Sequence, residues 1–552
     1  MREPHDTCAD DHQSGVHAGD TAVPERRATT LVLTSWPTVN PPHRILRSHE
    51  RRSTPISYGQ VAVKETRDHP APPRRRPVGR RADRRSDPQA VAATPKALVI
   101  GVDGLVLDRI AAADAPTLDS LVAGGSSSKT SLYANPMAPT LSGPGWATIA
   151  TGVWPDRHGV VSNSWGTNHR LAEHPDFLTR LERADRSTST YAIATWAPLV
   201  TTGAGTAIFG PEVDLRVSSG GDQATADRAA QHLRTTDADA GFLHFDDVDA
   251  AGHTCGAAGA CYRAAITAVD KRVKQVLDAI AARPNRGQEA WTVVITSDHG
   301  HTDTGGHGGS TPGERSSLII HTGPGAAPGT PAVAPKNVDV AATVLGRFGV
   351  APAGLDGRPL GTPSADPFDA VALKPAVHEA IGVLGWSDTS PSGWRVDDTG
   401  MGTGGVAEWH GWSFTNDDFW TRTETGQWRE TNVRARGVFA VADSDEWSDR
   451  TRTGTFTSAL ISPAYDVTGR SRVVVGFVSH HREEGAETAT VSVSFDGGPA
   501  RTVLTYNGDA VAKVEAVPVA VPAGATRMTV TWRLAGGDNN WYWAVDSPTV
   551  TS

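Results

Sequence analysis

Five short apolar runs recur across the middle of the chain: ALVIGVDGL (97–105), STYAIATW (189–196), GFLHFDD (241–247), WTVVITSDHG (291–300) and SSLIIHTGPG (316–325). Continuous runs rich in β-branched residues read as strands buried on both faces of a sheet. Between them, APTLDSLVAGG (115–125), ADRAAQHLRT (226–235) and YRAAITAVDKRVKQVLDAIAA (262–282) carry the helical period. Alternating strands and helices predict an α/β domain with a largely parallel sheet flanked by helices. We place it at 96–372, closing after VDVAATVLGRFGVAPAGLDGRPLG.

Beyond that point the pattern changes. A Trp- and Gly-rich stretch gives way to alternating runs, RVVVGFVSHH, ATVSVSFDGG, RTVLTYNG and RMTVTWRLAGG, separated by turn signals. This predicts an all-β sandwich over 375–552. Residues 1–95, with PPRRRPVGRRADRRSD, show neither period. They carry too little apolar surface to offset their ordering entropy and are expected to be a disordered Arg/Pro-rich segment. AVAATPKA (90–97) would suit the end of an export signal whose apolar part is missing from this frame.

The length, 552 residues, exceeds one ordinary domain, and 38% hydrophobic with 20% charged residues fits a globular chain. A formal net charge of -9 argues against a dedicated nucleic-acid binder, so no nucleic-acid partner is required. No run is long and apolar enough to predict a transmembrane segment. Three cysteines exclude a disulfide scaffold. Cys255 and Cys261 enclose a Gly/Ala loop and are either a pair formed in an oxidising compartment or two free thiols.

The chemistry sits at the strand ends. Asp103 ends the first run, Asp249 and His253 follow the third, Asp298 and His299 end the fourth, and His307 lies just beyond in GGHGG. Ligands of open α/β sheets bind beyond the carboxyl ends of the strands, so these six groups can meet at one edge. Carboxylates mixed with imidazoles suit Zn²⁺, with Mn²⁺ second. Six ligands exceed what one catalytic zinc takes, and two divalent ions account for them. Ser142, in PTLSGPGWATIATGVWPDRHGV (139–160), precedes a short helix between small residues. It is either an N-cap or a nucleophile activated by a metal, with Gly143 and Gly145 allowing close approach to a phosphate. Thr140 is a competing hydroxyl.

Taken together, VIGVDGL, PTLSGPGWATIATGVWPDRHGVVSN, DVDAAGH and SDHGHTDTGGHGG resemble the alkaline phosphatase superfamily, most closely its type I phosphodiesterase/nucleotide pyrophosphatase family, over about residues 96–360. The resemblance implies an alkaline-phosphatase-like core. It implies one metal held by Asp249, His253 and His307, and another by Asp103, Asp298, His299 and the nucleophile Ser142. Many members carry threonine where this chain has Ser142. Asn163, in the matching HGVVSN, is either a contact to a phosphate oxygen or a turn residue. His158 reads as structural, and His301 either orients a ligand or has no role. The implied activity is hydrolysis of a phosphate ester, as a phosphodiesterase or pyrophosphatase acting through a phosphoseryl intermediate. A phosphomonoesterase on the same machinery is the nearest alternative. A sulfatase would need arginine where SGPGW (142–146) has Trp146. A mutase would need a longer interval between Ser142 and Asp249. The non-enzyme alternative is a glycan-binding protein with an inactive core.

WHGWSFTNDDFW (409–420) and GGDNNWYWAVDS (536–547) place aromatics beside Asp and Asn. Such sets can hold sugars or Ca²⁺, while the plainer reading is a Trp-rich core. This part resembles the jelly-roll-like accessory domains of secreted bacterial hydrolases. That likeness, and a Cys255–Cys261 pair if formed, imply a secreted or extracytoplasmic protein, although no signal peptide is visible in this frame.

Overall fold

The computed structural model describes residues 93–552 except 203, 204, 379–381 and 383. The expectations for residues 1–92, including disorder and an export signal, lie outside the described residues. All described residues belong to one compact unit, Asp87–Ser552.

The first sheet has seven strands: β1 Thr94–Val102, β2 Ser126–Ser131, β3 Thr190–Ala194, β4 Leu215–Ser218, β5 Ala240–Phe245, β6 Glu289–Thr296 and β7 Ser316–Thr322. Their order is β2-β7-β6-β1-β5-β3-β4. β6, β1, β5, β3 and β4 run parallel, while β7 and then β2 extend the sheet antiparallel. The α/β class therefore holds, with an antiparallel edge that the apolar pattern did not show.

Successive side chains of a strand point to opposite faces. Leu98, Ile100 and Val102 of β1 pack against helices Asp222–Thr235 and Ala260–Ala281, in a core with Ala226, Leu233, Val269 and Val273. Ala97 and Val99 face the other way, toward helices Ser142–Thr151 and Asp339–Arg347, with Trp146, Ile149, Val340 and Leu345. Both faces are covered, which is why the run is apolar throughout. The parallel strands deliver their C-terminal ends to one edge, where Asp103, Asp246 and Asp298 follow β1, β5 and β6.

The later residues form antiparallel sheets. One has seven strands: Ala510–Ala520, Arg472–His481, Tyr542–Thr551, Val438–Asp443, Ser413–Asn416, Leu384–Ser387 and Lys374–Pro375. Another is built on Phe456–Ile461, Arg527–Gly537 and Thr488–Phe495. The two share one core, with Phe477 of the first meeting Trp532 of the second at 5.7 Å between ring centroids. Three charged links tie this β part to the α/β sheet region. Arg436 pairs with Asp339 at 2.7 Å, Arg434 bridges Asp156 and Asp356, and Arg315 reaches Asp417 at 3.2 Å. Among the described residues no helix is long and apolar enough to cross a membrane.

Candidate metal centre

Asp103 follows β1 directly and is 1% exposed. Its Oδ2 accepts from Trp146 Nε1 at 3.0 Å and lies 3.0 Å from His244 Nε2. The Trp196 backbone N–H donates to His244 Nδ1, so Nε2 carries the proton and also donates to Asp103. Two donors thus occupy Oδ2. Oδ1 is buried with no hydrogen-bond partner among the described residues.

Asp298 has the same asymmetry. Its Oδ1 accepts from the Gly104 backbone N–H at 3.2 Å, while Oδ2 is buried without a partner. His299 Nδ1 faces the Gly300 carbonyl at 3.1 Å and must donate there, leaving a lone pair on Nε2. That nitrogen lies 3.3 Å from Asp103 Oδ1, 3.3 Å from Asp298 Oδ2 and 3.3 Å from Ser142 Oγ. Two orphaned carboxylate oxygens, one imidazole lone pair and one hydroxyl therefore face a common point. A buried polar atom without a partner is costly, and a divalent cation would satisfy all four. Burial, and then the neighbouring carboxylates, push Asp103 and Asp298 well above the usual carboxylate range. Burial likewise pulls His299 well below the usual imidazole range. A cation reverses both penalties.

A second cluster adjoins the first. Asp249 and His253 lie one helical turn apart on helix Asp247–Cys255, with His253 Nε2 3.4 Å from Asp249 Oδ2. His307 Nε2 is 3.1 Å from His253 Nε2 and 3.5 Å from Asp249 Oδ1. His307 Nδ1 donates to the Thr140 carbonyl at 2.8 Å, which again turns a lone pair inward. The rings of His299 and His307 stack at 3.6 Å, so the clusters are contiguous. Residues expected for each site are brought together. Among the described residues, three groups of ligand-type side chains converge: Asp249 with His299, His301 and His307; Asp103 with His244 and Asp246; and Asp103 with Asp298 and His299.

His301, read from the sequence as at most an orienting residue, is 2% exposed, and its Nε2 donates to Asp249 Oδ1 at 2.7 Å. A Cβ on Gly252 or Gly104 would stand 2.5 or 2.7 Å from His301 Nε2, so both glycines make room for this ring. Burial would raise the Asp249 carboxyl. The His301 hydrogen bond and the surrounding imidazoles hold it below the usual carboxylate range instead. His244 escaped the sequence reading. Its only signal was a polar residue inside the apolar strand β5, on the face that meets Trp146.

Three further residues find other work. Thr140 Oγ1 donates to the Gly309 carbonyl and accepts from the Gly308 N–H, so its hydroxyl holds the His307 loop. Asn163 is exposed, and its Oδ1 accepts from the Gly143 N–H at 2.8 Å beside Ser142. His158 is fully buried, bonded to Thr148 and to the Val160 N–H, and burial takes it down to about 3. Cys255 and Cys261 form a disulfide that ties the end of helix Asp247–Cys255 to the start of helix Ala260–Ala281.

The aromatic stretches of the β part are mostly core. Trp409, Trp412, Trp420, Tyr542 and Trp543 are buried, so these rings are not open to a sugar. Most of the acidic side chains beside them are paired, while Asp546, 1% exposed, keeps Oδ1 without a partner among the described residues. Asp417 pairs with Arg315, Asp418 with Arg422, and Asp538 with Arg452. Asn416 caps the Phe419 N–H.

Residues 97–310 match the family model described as type I phosphodiesterase/nucleotide pyrophosphatase. No curated protein matches the chain. Among solved structures, human ectonucleotide pyrophosphatase/phosphodiesterase 5 aligns at 12% identity over 48% of this chain and 97% of its own, with a TM-score of 0.38. Its murine counterpart aligns at 18% identity over 38% and 57%, with a TM-score of 0.29. A 2-O GAG sulfatase aligns at 14% identity over 66% and 84%, with a TM-score of 0.38. Over residues 97–310, the span that contains both clusters, the chain matches the type I phosphodiesterase/nucleotide pyrophosphatase family that its motifs resemble.

Proposed function

We propose that the chain is a metal-dependent phosphoric ester hydrolase of the phosphodiesterase/nucleotide pyrophosphatase type, with Ser142 as nucleophile. The observation that carries this reading is the convergence of Asp103 Oδ1, Asp298 Oδ2, His299 Nε2 and Ser142 Oγ beside the Asp249–His253–His307 cluster. In this reading Asp103, Asp298, His299 and Ser142 hold one divalent ion, and Asp249, His253 and His307 hold another. Zn²⁺ suits this donor set, with Mn²⁺ second. When bound, such ions supply Lewis acidity to phosphoryl oxygens and lower the pKa of a hydroxyl or water.

The chain's own residues do the rest. Ser142 Oγ releases its proton to solvent and adds to phosphorus, and the bond to the leaving oxygen breaks on the opposite side. That oxygen departs and takes a proton from water. A second water then adds to the phosphoserine, the P–Oγ bond breaks, and Ser142 recovers its proton. Asn163, oriented by the Gly143 N–H, has its Nδ2 free to donate to a phosphate oxygen. Serine in place of the threonine common in the family removes one methyl group and leaves this chemistry intact. The disulfide supports an extracytoplasmic location, where such bonds persist.

The test is turnover of bis-p-nitrophenyl phosphate against p-nitrophenyl phosphate, with Zn²⁺ or Mn²⁺ restored after chelation. We expect metal-dependent diester turnover, reduced at least about a thousandfold in Ser142→Ala. Faster monoester turnover would move the assignment to a phosphatase. No metal-dependent turnover of either ester, with metal bound, would overturn the reading.

A further inference from the structure

A cavity of about 1010 Å³ opens between strand β2 of the α/β sheet and helix Asp417–Thr423 with strand Val438–Asp443 of the β part. Its wall carries several ions, and most are paired. Arg109 pairs with Asp303, Lys129 with Asp108, Arg422 with Asp418, and Arg315 with Asp417. Among the described residues Asp369 has no cationic partner, but it accepts from the Ser364 hydroxyl and the Val438 N–H.

Lys336 is different. It lines the cavity, is 6% exposed, and its backbone N–H bonds to Asp339 Oδ2. Among the described residues its ammonium has no hydrogen-bond or ion-pair partner. The nearest charges do not release it. Asp339 is taken by both guanidinium nitrogens of Arg436, and Asp417 serves Arg315 directly. Around Lys336, the cations Arg315, Lys336 and Arg436 thus face two carboxylates, Asp417 and Asp339. A second polar group on the wall is also unsatisfied: the Thr130 hydroxyl, on a residue 3% exposed, has no partner among the described residues. Burying an ammonium without a counter-charge is unfavourable, and breaking such a pair costs more than never forming it.

We propose that this cavity is an anion-binding site, separate from the metal clusters, for a small molecule bearing a phosphate, sulfate or carboxylate group, with Lys336 as its ionic partner. The volume is that of a small-molecule site and far exceeds one inorganic anion. Arg315, 4% exposed and bonded to Thr421 Oγ1 at 3.2 Å, sits on the same wall and adds positive potential. Burial pulls Lys336 below the usual ammonium range, against the opposing charge of Asp417. An oxyanion would restore its charged form.

The experiment reads Lys336 itself in the full-length, metal-loaded protein. Acylation by a hydroxysuccinimide ester is followed by peptide mass spectrometry, with added sulfate, phosphate or acetate at ionic strength matched by chloride. Exposed Lys271 serves as internal reference. We expect at least one of the three anions to slow Lys336 acylation saturably, by about fivefold or more, with Lys271 unchanged. The anion that protects most tightly identifies the group. Equal protection of both lysines, or none of Lys336, would overturn the proposal. If Lys336 proves inert to the reagent, anion titrations of Tm decide. A saturable rise lost in Lys336→Met and kept in Ser142→Ala supports the site. A rise that Lys336→Met retains is general salt stabilisation or binding at the metal clusters, and refutes it.

Discussion

Replacing Gly145 by alanine sets two effects of opposite sign against each other. In a helix interior, alanine is worth about 1 kcal/mol over glycine through backbone entropy. Gly145 lies in helix Ser142–Thr151, so propensity alone predicts stabilisation. The packing predicts the reverse. A Cβ at residue 145 would stand 2.5 Å from the Asp298 carbonyl oxygen and 2.7 Å from the Asp298 Cβ, where ordinary contact begins at 3.4 Å. The helix and the β6 end must therefore part by about 0.9 Å, because neither opposing atom sits at the tip of a flexible side chain. Overpacking of this kind costs about 1–3 kcal/mol, which outweighs the propensity gain. The same movement carries Ser142 away from Asp298 and His299, whose Nε2 is 3.3 Å from Ser142 Oγ. A misplacement of about 1 Å at a reacting group costs on the order of 10²-fold in rate. We expect Gly145→Ala to lower Tm by a few degrees and kcat/KM on a diester by roughly a hundredfold. The assay is metal-saturated kinetics with a parallel thermal melt. Gly124→Ala, at the end of helix Pro116–Gly124 with nothing within 4 Å of the added Cβ, is the control and should be neutral or stabilising. A Gly145→Ala protein as stable as the parent and active within about twofold would refute the idea that this contact sets the Ser142 position.

His301→Leu should weaken metal binding by about 10–100-fold through loss of the donor on Asp249, and His301→Gln should restore part of it; unchanged metal affinity in competition with a chelator would remove His301 from the centre. Glu487, 7% exposed with Oε2 on the Ser444 hydroxyl and Oε1 unpartnered, is pushed up to about 8 by burial and then the Asp443 charge. Its folded form keeps the proton that the unfolded chain releases near 4.5, so stability falls as pH rises from about 4.5 to about 8. Glu487→Gln should flatten that limb and gain on the order of 4 kcal/mol at pH 8, and an unaltered pH–stability curve by chemical denaturation would contradict this.

What was legible in the sequence follows from how each element is stabilised. β1, β5 and β6 are covered on both faces, so burial writes itself into a continuous apolar run. Parallel topology then forces their ends, and with them Asp103 and Asp298, to one edge. β2 was invisible because SSSKTS has no apolar period. It exists through its antiparallel ladder with β7, a non-local cause that no local pattern records. β4, at Leu215–Ser218, is too short to carry a pattern. Among the site residues, those at strand ends or in a helical i, i+4 pair were readable. His244 was not, because a histidine within an apolar strand reads as core until the packed partner Trp146 and the Asp103 carboxylate are seen beside it.

Whether Ser142 is a cap or a nucleophile turns on where its hydroxyl bonds. A capping serine has extended backbone and spends its side-chain oxygen on an amide of the first turn. Here that backbone position belongs to Leu141, which cannot cap, and Ser142 is already the first helical residue. The Gly143 amide, an early donor of the turn, is taken by Asn163. Ser142 Oγ is left facing His299 Nε2. The helix start is thus satisfied in part by a residue twenty positions downstream, and the serine hydroxyl is released from structural duty at the point where two unpartnered carboxylate oxygens converge. The same division recurs across the centre. Trp146 and His244 occupy one oxygen of Asp103, the Gly104 N–H one of Asp298, and the Thr140 carbonyl one nitrogen of His307. Among the described residues the other oxygen of each Asp has no partner, and the other nitrogen of His307 faces His253 and Asp249. That repeated one-sided satisfaction favours a site organised to receive cations over a set of strand-end caps, because caps would leave no such remainder.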